Sequence, residues 1–343
     1  MQNGQKCYEE VKMQHGLLSS LLLSTSLLLS PVGMSYATEM SPLTVESWLE
    51  NDQVKLKTAE LLELVVRDEV NSLRFSLERL TFPQQEVARY RLLKKIEQQE
   101  IVLTPKMSIF IEQQLAITPT YQVLERGDGY EFTVPAFNYP SIANRLIKQW
   151  HQDQKTLVFV LDAEKRKLNL NEWLSGPEHQ VQTREALLIR ELDSLSPEAV
   201  DYLTKQLTAS SIVSWLPSTE VVVRLAQVSE DPEVYKILWR MKADYHSQAE
   251  LERLAKTKQT FALEQVMAAT KNPRLKDEAI TLLTKVNPLS EEVKQFLVSR
   301  MAIADEAPLV ARELAKQGHT RWLQDLVNDN PQVKSSLIEQ ALP

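Results

Sequence analysis

Glycine is scarce in this chain, and its distribution restricts the folds that the chain can adopt. The 343 residues contain seven glycines. Only four of them, Gly127, Gly129, Gly176 and Gly318, follow residue 37. Sheet-rich folds and phosphate-binding loops both use glycine, for turns with positive φ and for close approach of the backbone to a ligand. The sequence therefore predicts a mainly helical protein.

The segment that precedes residue 38 has the features of an export signal. An apolar run, Leu17–Leu29, leads to small residues at Ser35 and Ala37, the spacing that signal peptidase accepts. The run is shorter than the roughly 20 apolar residues of a membrane-spanning helix. We predict a cleaved signal peptide over residues 1–37, with cleavage after Ala37 and no stable membrane anchor afterwards. An uncleaved anchor and a buried helix are the alternatives.

Cysteine usage and glycosylation signals indicate the compartment and the type of organism. The only cysteine, Cys7, lies before the apolar run and would be removed with it, whether translation starts at Met1 or Met13. A mature chain without cysteine has no disulfides, thiolate metal sites or cysteine nucleophiles. No Asn-x-Ser/Thr sequon occurs in the sequence, so nothing indicates eukaryotic secretion. We therefore predict a bacterial protein that is periplasmic or secreted.

The charge balance restricts the partners. The formal net charge is −7, and the longest basic cluster is the triplet Lys165–Lys167. Nucleic acids and anionic membrane surfaces require clustered lysine and arginine, so neither is expected as a partner. The acidic excess favours a basic protein partner.

The carboxy-terminal half contains a series of predicted short amphipathic helices. Capping residues precede proline or a carboxylate at these helix starts, namely Ser196, Ser218, Asp231, Asn272, Ser290 and Asn330. Apolar residues at helical spacing follow each start, as in Leu275, Ala279, Leu282, Leu283 and Val286. One apolar stripe on so short a helix cannot form a core alone, so the helices must stack.

Two of these starts are separated by the length of a helix-pair repeat. Pro232 and Pro273 lie 41 residues apart in the numbering, and Ala268–Val286 reads as one repeat unit around Asn272–Pro273. This pattern resembles the HEAT and armadillo class of α-solenoid repeats, over residues 183–343. An irregular helical array without a true repeat is the alternative.

The middle of the chain has a different pattern. Tyr121–Glu125 and Tyr130–Val134 alternate apolar and polar residues around an Asp-Gly turn, which predicts a β-hairpin. A helix over Pro140–Trp150 and two further strands, Leu157–Leu161 and Lys167–Asn171, complete a predicted ββαββ insert.

Together these features predict a mainly α fold, an irregular α-solenoid of HEAT-like helix pairs with a small α+β insert. The predicted organisation is a signal peptide over 1–37, an amino-terminal helical block over 38–117, the insert over 118–174 and a HEAT-like array over 175–343.

No motif in the sequence predicts a catalytic, metal-binding or cofactor-binding residue. The histidines are isolated, and no serine has the surroundings of a nucleophile. Tryptophan is usually buried, yet three tryptophans in the predicted array are candidates for partner binding: Trp215, Trp239 and Trp322. We predict an exported scaffold or adaptor that binds another protein through its helical surface. The alternative is an exported hydrolase with a carboxylate, such as Asp162 or Glu131, at the junction of the insert and the helical blocks.

Overall fold

The computed structural model describes residues 38–127, 129–209 and 215–342, so the predicted signal peptide lies outside the described residues. These residues form eighteen α-helices, one 3₁₀ turn and three β-strands, and the prediction of a mainly helical protein is confirmed. None of the described helices is long and apolar enough to cross a membrane.

The chain divides into two compact units, Met1–Asn144 and Arg145–Pro343. The predicted division at residues 117 and 174 stays a prediction.

The helices and strands occur in the following order. The first unit contains β1 (Thr38–Glu39), α1 (Pro42–Glu50), α2 (Asp52–Val66), α3 (Val70–Glu78), α4 (Phe82–Gln98), α5 (Pro105–Leu115), β2 (Tyr121–Gly127) and β3 (Tyr130–Pro135). Helix α6 (Tyr139–Glu164) begins in the first unit and continues into the second. The second unit continues with α7 (Leu170–Trp173), α8 (Glu178–Glu191), a 3₁₀ turn (Leu192–Ser194), α9 (Pro197–Thr208), α10 (Thr219–Ser229), α11 (Pro232–Leu238), α12 (Tyr245–Thr257), α13 (Thr260–Ala269), α14 (Lys276–Thr284), α15 (Glu291–Met301), α16 (Ala307–Lys316), α17 (Thr320–Asp329) and α18 (Ser335–Ala341).

The small sheet of the first unit contains the predicted hairpin and one strand that was not predicted. Strands β2 and β3 pair antiparallel with Val123 opposite Val134, which confirms the hairpin. Strand β1 adds to the other side of β2 in parallel, with Thr38 opposite Tyr121. The buried carboxylate of Glu86 on α4 accepts the backbone N–H of Thr120 at 2.6 Å. This contact fixes the start of β2 to the helices beneath it.

The second half of the predicted ββαββ insert is wrong. Leu157–Leu161 lies within α6. Of Lys167–Asn171, the first three residues form a loop and the last two belong to the short helix α7. Burial follows a helical period, because Phe159 and Ala163 are buried whereas Leu157 and Leu161 are 50% and 42% exposed. In a strand, residues 157, 159 and 161 would share one face. No glycine or proline interrupts the chain between residues 141 and 164, so the helix continues.

The helices of the second unit pack mainly against neighbours one or two positions away along the chain. The even-numbered helices form a continuous row of contacts, from α8 to α10, α12, α14, α16 and α18. Helices α9, α11 and α13 make a second series of contacts. One hydrophobic cluster runs from Phe159 to Ile338 and joins all of these helices.

Most of the predicted helix starts are confirmed, and two are wrong. The side chains of Ser196, Ser218, Asp231 and Ser290 cap α9, α10, α11 and α15 by accepting a backbone N–H of the first turn. Asn272 and Asn330 do not begin helices, since α14 starts at Lys276 and α18 starts at Ser335. The side chain of Asn272 binds elsewhere, as described below.

A buried ionic network joins α10, α11 and α12. The carboxylate of Glu250, 1% exposed, accepts hydrogen bonds from Tyr235 Oη at 2.7 Å and from Gln227 Nε2 at 2.6 Å. The Arg253 guanidinium donates to both carboxylate oxygens, at 2.7 and 2.8 Å. Burial raises the pKa of the Tyr235 hydroxyl, and the negative charge of Glu250 raises it further. The partners of the buried charge thus come from α10, from α11 and from α12 itself.

Replacement of Glu250 by alanine should destabilise the second unit strongly. The change removes the shared acceptor of three side chains and leaves the buried Tyr235 hydroxyl without it. We expect the free energy of unfolding to fall by about 3 kcal/mol, measured by urea unfolding followed by circular dichroism. The matched control is Glu252→Ala, on the exposed side of the same helix, where the ion pair with Lys256 is solvent-accessible and the expected loss is below about 1 kcal/mol. Equal losses for the two variants would contradict the structural role of the network.

Candidate functional site

A groove with a volume of about 830 Å³ lies between α11 and α13 in the second unit. One wall consists of α11 and the loop Trp239–Ala243 that follows it. The other wall consists of the carboxy-terminal half of α13 and the turn Lys271–Arg274. We call this feature the cationic groove. Its volume falls within the range of small-molecule and peptide pockets.

The charge of the cationic groove is opposite to that of the whole chain. Five cationic side chains line it: Lys236, Arg240, Lys242, Lys271 and Arg274. One carboxylate is present, and Glu233 Oε2 lies 3.0 Å from Lys236 Nζ in an ion pair. The other four cationic residues are exposed and form no ion pair with a carboxylate of the described chain. A local excess of positive charge is therefore concentrated at this groove.

The side chain of Asn272 holds the two walls of the groove together. Its Nδ2 donates to the carbonyl oxygens of Trp239 at 3.1 Å and Met241 at 3.0 Å, at the end of α11. Its Oδ1 accepts the backbone N–H of Arg274 at 3.0 Å, which shapes the turn after α13. The amide is buried, so it satisfies buried backbone acceptors that water does not reach.

The floor of the groove is aromatic and is held in place by the Glu250 network. Trp239 is 3% exposed and lines the cavity. Its ring stacks on Tyr235, with centroids 5.9 Å apart and planes inclined by 29°, and Tyr235 in turn donates to Glu250. The buried indole Nε1 of Trp239 has no hydrogen-bond acceptor among the described residues. A buried donor without a partner costs about 1–3 kcal/mol.

The three candidate tryptophans lie in different surroundings. Trp239 lines the cationic groove, whereas Trp215 and Trp322 are half-buried and pack against the hydrophobic cluster of the second unit. Trp322 contacts the edge of His319, with centroids 6.3 Å apart. Neither Trp215 nor Trp322 is among the residues that line the groove.

The two candidate carboxylates of the enzyme hypothesis belong to different units. Asp162 directly follows the predicted strand Leu157–Leu161, but the structure places both in α6. Glu131 on β3 pairs with Arg126 across the hairpin, with Nε and Oε1 2.8 Å apart, and both side chains are exposed. Within the described ranges, no group of three or more His, Cys, Asp or Glu side chains could hold a metal ion.

Sequence reasoning identified Trp239 but not the groove around it. The cationic residues are dispersed over 236–242 and 271–274, so no basic run appears in the sequence. The signal that could have located the groove is the pair Pro232 and Pro273, since both prolines line it. The sequence predicts a helix start at Asn272–Pro273. The structure instead shows that the Asn272 side chain joins the turn after α13 to the end of α11.

Comparison with known proteins identifies no relative, since no family model, curated protein or solved structure matches this chain.

Replacement of Asn272 by alanine should loosen the groove. The carbonyls of Trp239 and Met241 then lose their donor, and the Arg274 N–H loses its acceptor. We expect the free energy of unfolding to fall by about 2 kcal/mol, measured by urea unfolding. Asn328→Ala, at an exposed position of α17, is the control and should change stability by less than about 0.5 kcal/mol. A loss no larger than that of the control would show that Asn272 does not join the two walls.

Proposed function

We propose that this protein is an exported bacterial scaffold or adaptor, which binds a protein partner on the helical surface of residues 145–343. The observation that carries the proposal is the cationic groove, a cavity between α11 and α13 in which four of the five cationic side chains form no ion pair within the described residues. Binding surfaces of proteins commonly keep such uncompensated charge for a complementary partner.

The packing order of the second unit supports a HEAT-like interpretation. In α-solenoids each helix pair contacts only its neighbours, so contacts are local in sequence and a continuous surface results. The row from α8 through the even-numbered helices to α18 has this order. The groove lies between α11 and α13, which belong to the other series of helices. We interpret it as part of such a surface.

The predicted cleavage would leave the pairing of β1 unchanged. Strand β1 (Thr38–Glu39) lies on the mature side of the predicted cleavage site after Ala37. The backbone N–H of Thr38 donates to Thr120 O at 3.0 Å, and that of Met40 donates to Gln122 O at 2.7 Å. Cleavage at this bond would leave both strand contacts of the mature chain in place.

The cleavage site has a direct test. The full-length chain is expressed in a bacterium, and the mature protein is recovered from the periplasmic fraction and from the medium. Amino-terminal sequencing is expected to start at Thr38. A matched variant, Ala37→Arg, should block processing because signal peptidase requires a small residue there. Recovery of unprocessed wild-type protein in the cytosol would contradict export.

The partner-binding role is tested by crosslinking. The mature chain, Thr38–Pro343, carries a photo-crosslinking residue at exposed Pro273 in one preparation and at exposed Asn328, outside the groove, in another. Each is incubated with envelope extract, and crosslinked proteins are identified by mass spectrometry. We expect one protein to crosslink in stoichiometric yield from residue 273 and not from residue 328. No crosslinked protein at either position, in repeated preparations, would contradict the scaffold role.

A further inference from the structure

We infer that the occupant of the cationic groove is an acidic peptide segment of a partner protein, one that carries an apolar side chain between its carboxylates. This inference rests on the proposed function and adds the chemistry of the partner. The prediction of a basic partner depended on the net charge of the whole chain and stays untested. The local charge of this groove is positive and therefore favours an acidic partner segment.

Charge is the first reason for this inference. Arg240, Lys242, Lys271 and Arg274 lie on both walls of one groove and have no carboxylate partner in the described chain. Like charges gathered in one place repel each other and favour an anionic occupant. Arg240 and Lys242 follow α11, and Lys271 and Arg274 follow α13, so unpaired positive charge lies on two separate walls of the groove. A row of carboxylates fits this spread better than a single small anion.

The floor of the groove is the second reason. Trp239, Met241, Ala243 and Ala268 give the cavity an apolar surface between the charged walls. An apolar side chain of the occupant can be buried there, while its carboxylates reach the rims. Burial of apolar area supplies binding free energy, and the surrounding charges fix orientation and partner choice.

Trp239 argues against nucleic acid as the occupant. Its side chain is buried, with 3% of its surface exposed, so the face of the ring is not available for stacking on bases.

The test measures binding of a labelled peptide to the mature chain by fluorescence anisotropy. The probe is a synthetic peptide that contains glutamates on both sides of one leucine, and a peptide with lysine in place of each glutamate is the sign control. We expect the acidic peptide to bind, with an affinity that falls as salt is added. The lysine peptide should not bind.

Two variants assign the binding to the groove. Lys271→Glu combined with Arg274→Glu should lower the affinity for the acidic peptide by at least about tenfold. Arg321→Glu combined with Lys334→Glu reverses the same number of exposed charges outside the groove, near the starts of α17 and α18, where carboxylates are tolerated. This control should change the affinity by less than about twofold. Circular dichroism checks that the groove variant folds. If it does not fold, the second variant is Arg240→Gln with Lys242→Gln, which removes charge without reversing it. This variant should lower the affinity for the acidic peptide severalfold.

Several outcomes would overturn the inference. These are no binding of the acidic peptide, equal binding by groove and control variants, or stronger binding of the lysine peptide. Displacement of the peptide by inorganic phosphate would identify a small-anion site instead. Groove-dependent binding of an RNA oligonucleotide, without peptide binding, would indicate nucleic acid. In each of these cases the crosslinking experiment still decides separately whether the protein is a scaffold.

Discussion

The arrangement of the second unit depends on the hydrogen bonds that the buried carboxylate of Glu250 accepts. A buried charge is costly unless hydrogen bonds surround it, and here the partners come from three different helices. Each partner must be in place for the others to be satisfied. The network therefore favours one relative placement of α10, α11 and α12. The stacking of Trp239 on Tyr235 extends this order to the floor of the groove.

The parts of the fold that follow from local chemistry were predictable from the sequence. Scarce glycine, capping residues and apolar stripes predicted helices, and alternation around an Asp-Gly turn predicted the hairpin. Two elements were not predictable in this way. The run Leu157–Leu161 is apolar enough for a strand, and its helical state depends on which side chains the rest of the unit buries. The parallel strand β1 is two residues long, and its pairing is entirely non-local.

The candidate site, like the fold, was only partly predictable from the sequence. Trp239 could be selected by residue type, but Trp215 and Trp322 could be selected by the same criterion and lie outside the groove. The positive charges come from two segments separated by α12 and α13, so only packing brings them together. Net charge, an average over the chain, gave the opposite sign to that of the groove. Asn272 had the right residue type for a cap, but its partners are carbonyls of another turn.

The parallel pairing of β1 with β2 has a consequence for how the protein acquires its structure. Five helices separate the two strands in sequence. In the proposed export, Thr38 would cross the membrane before its pairing partner Tyr121, which follows only after α1–α5. Long-range parallel pairing forms slowly, because the intervening chain must be closed into a loop, at an entropic cost, before the strand contacts form. The first residues of the mature chain would therefore be among the last to reach their native contacts, and until then they would be accessible to chaperones and proteases at the exit side.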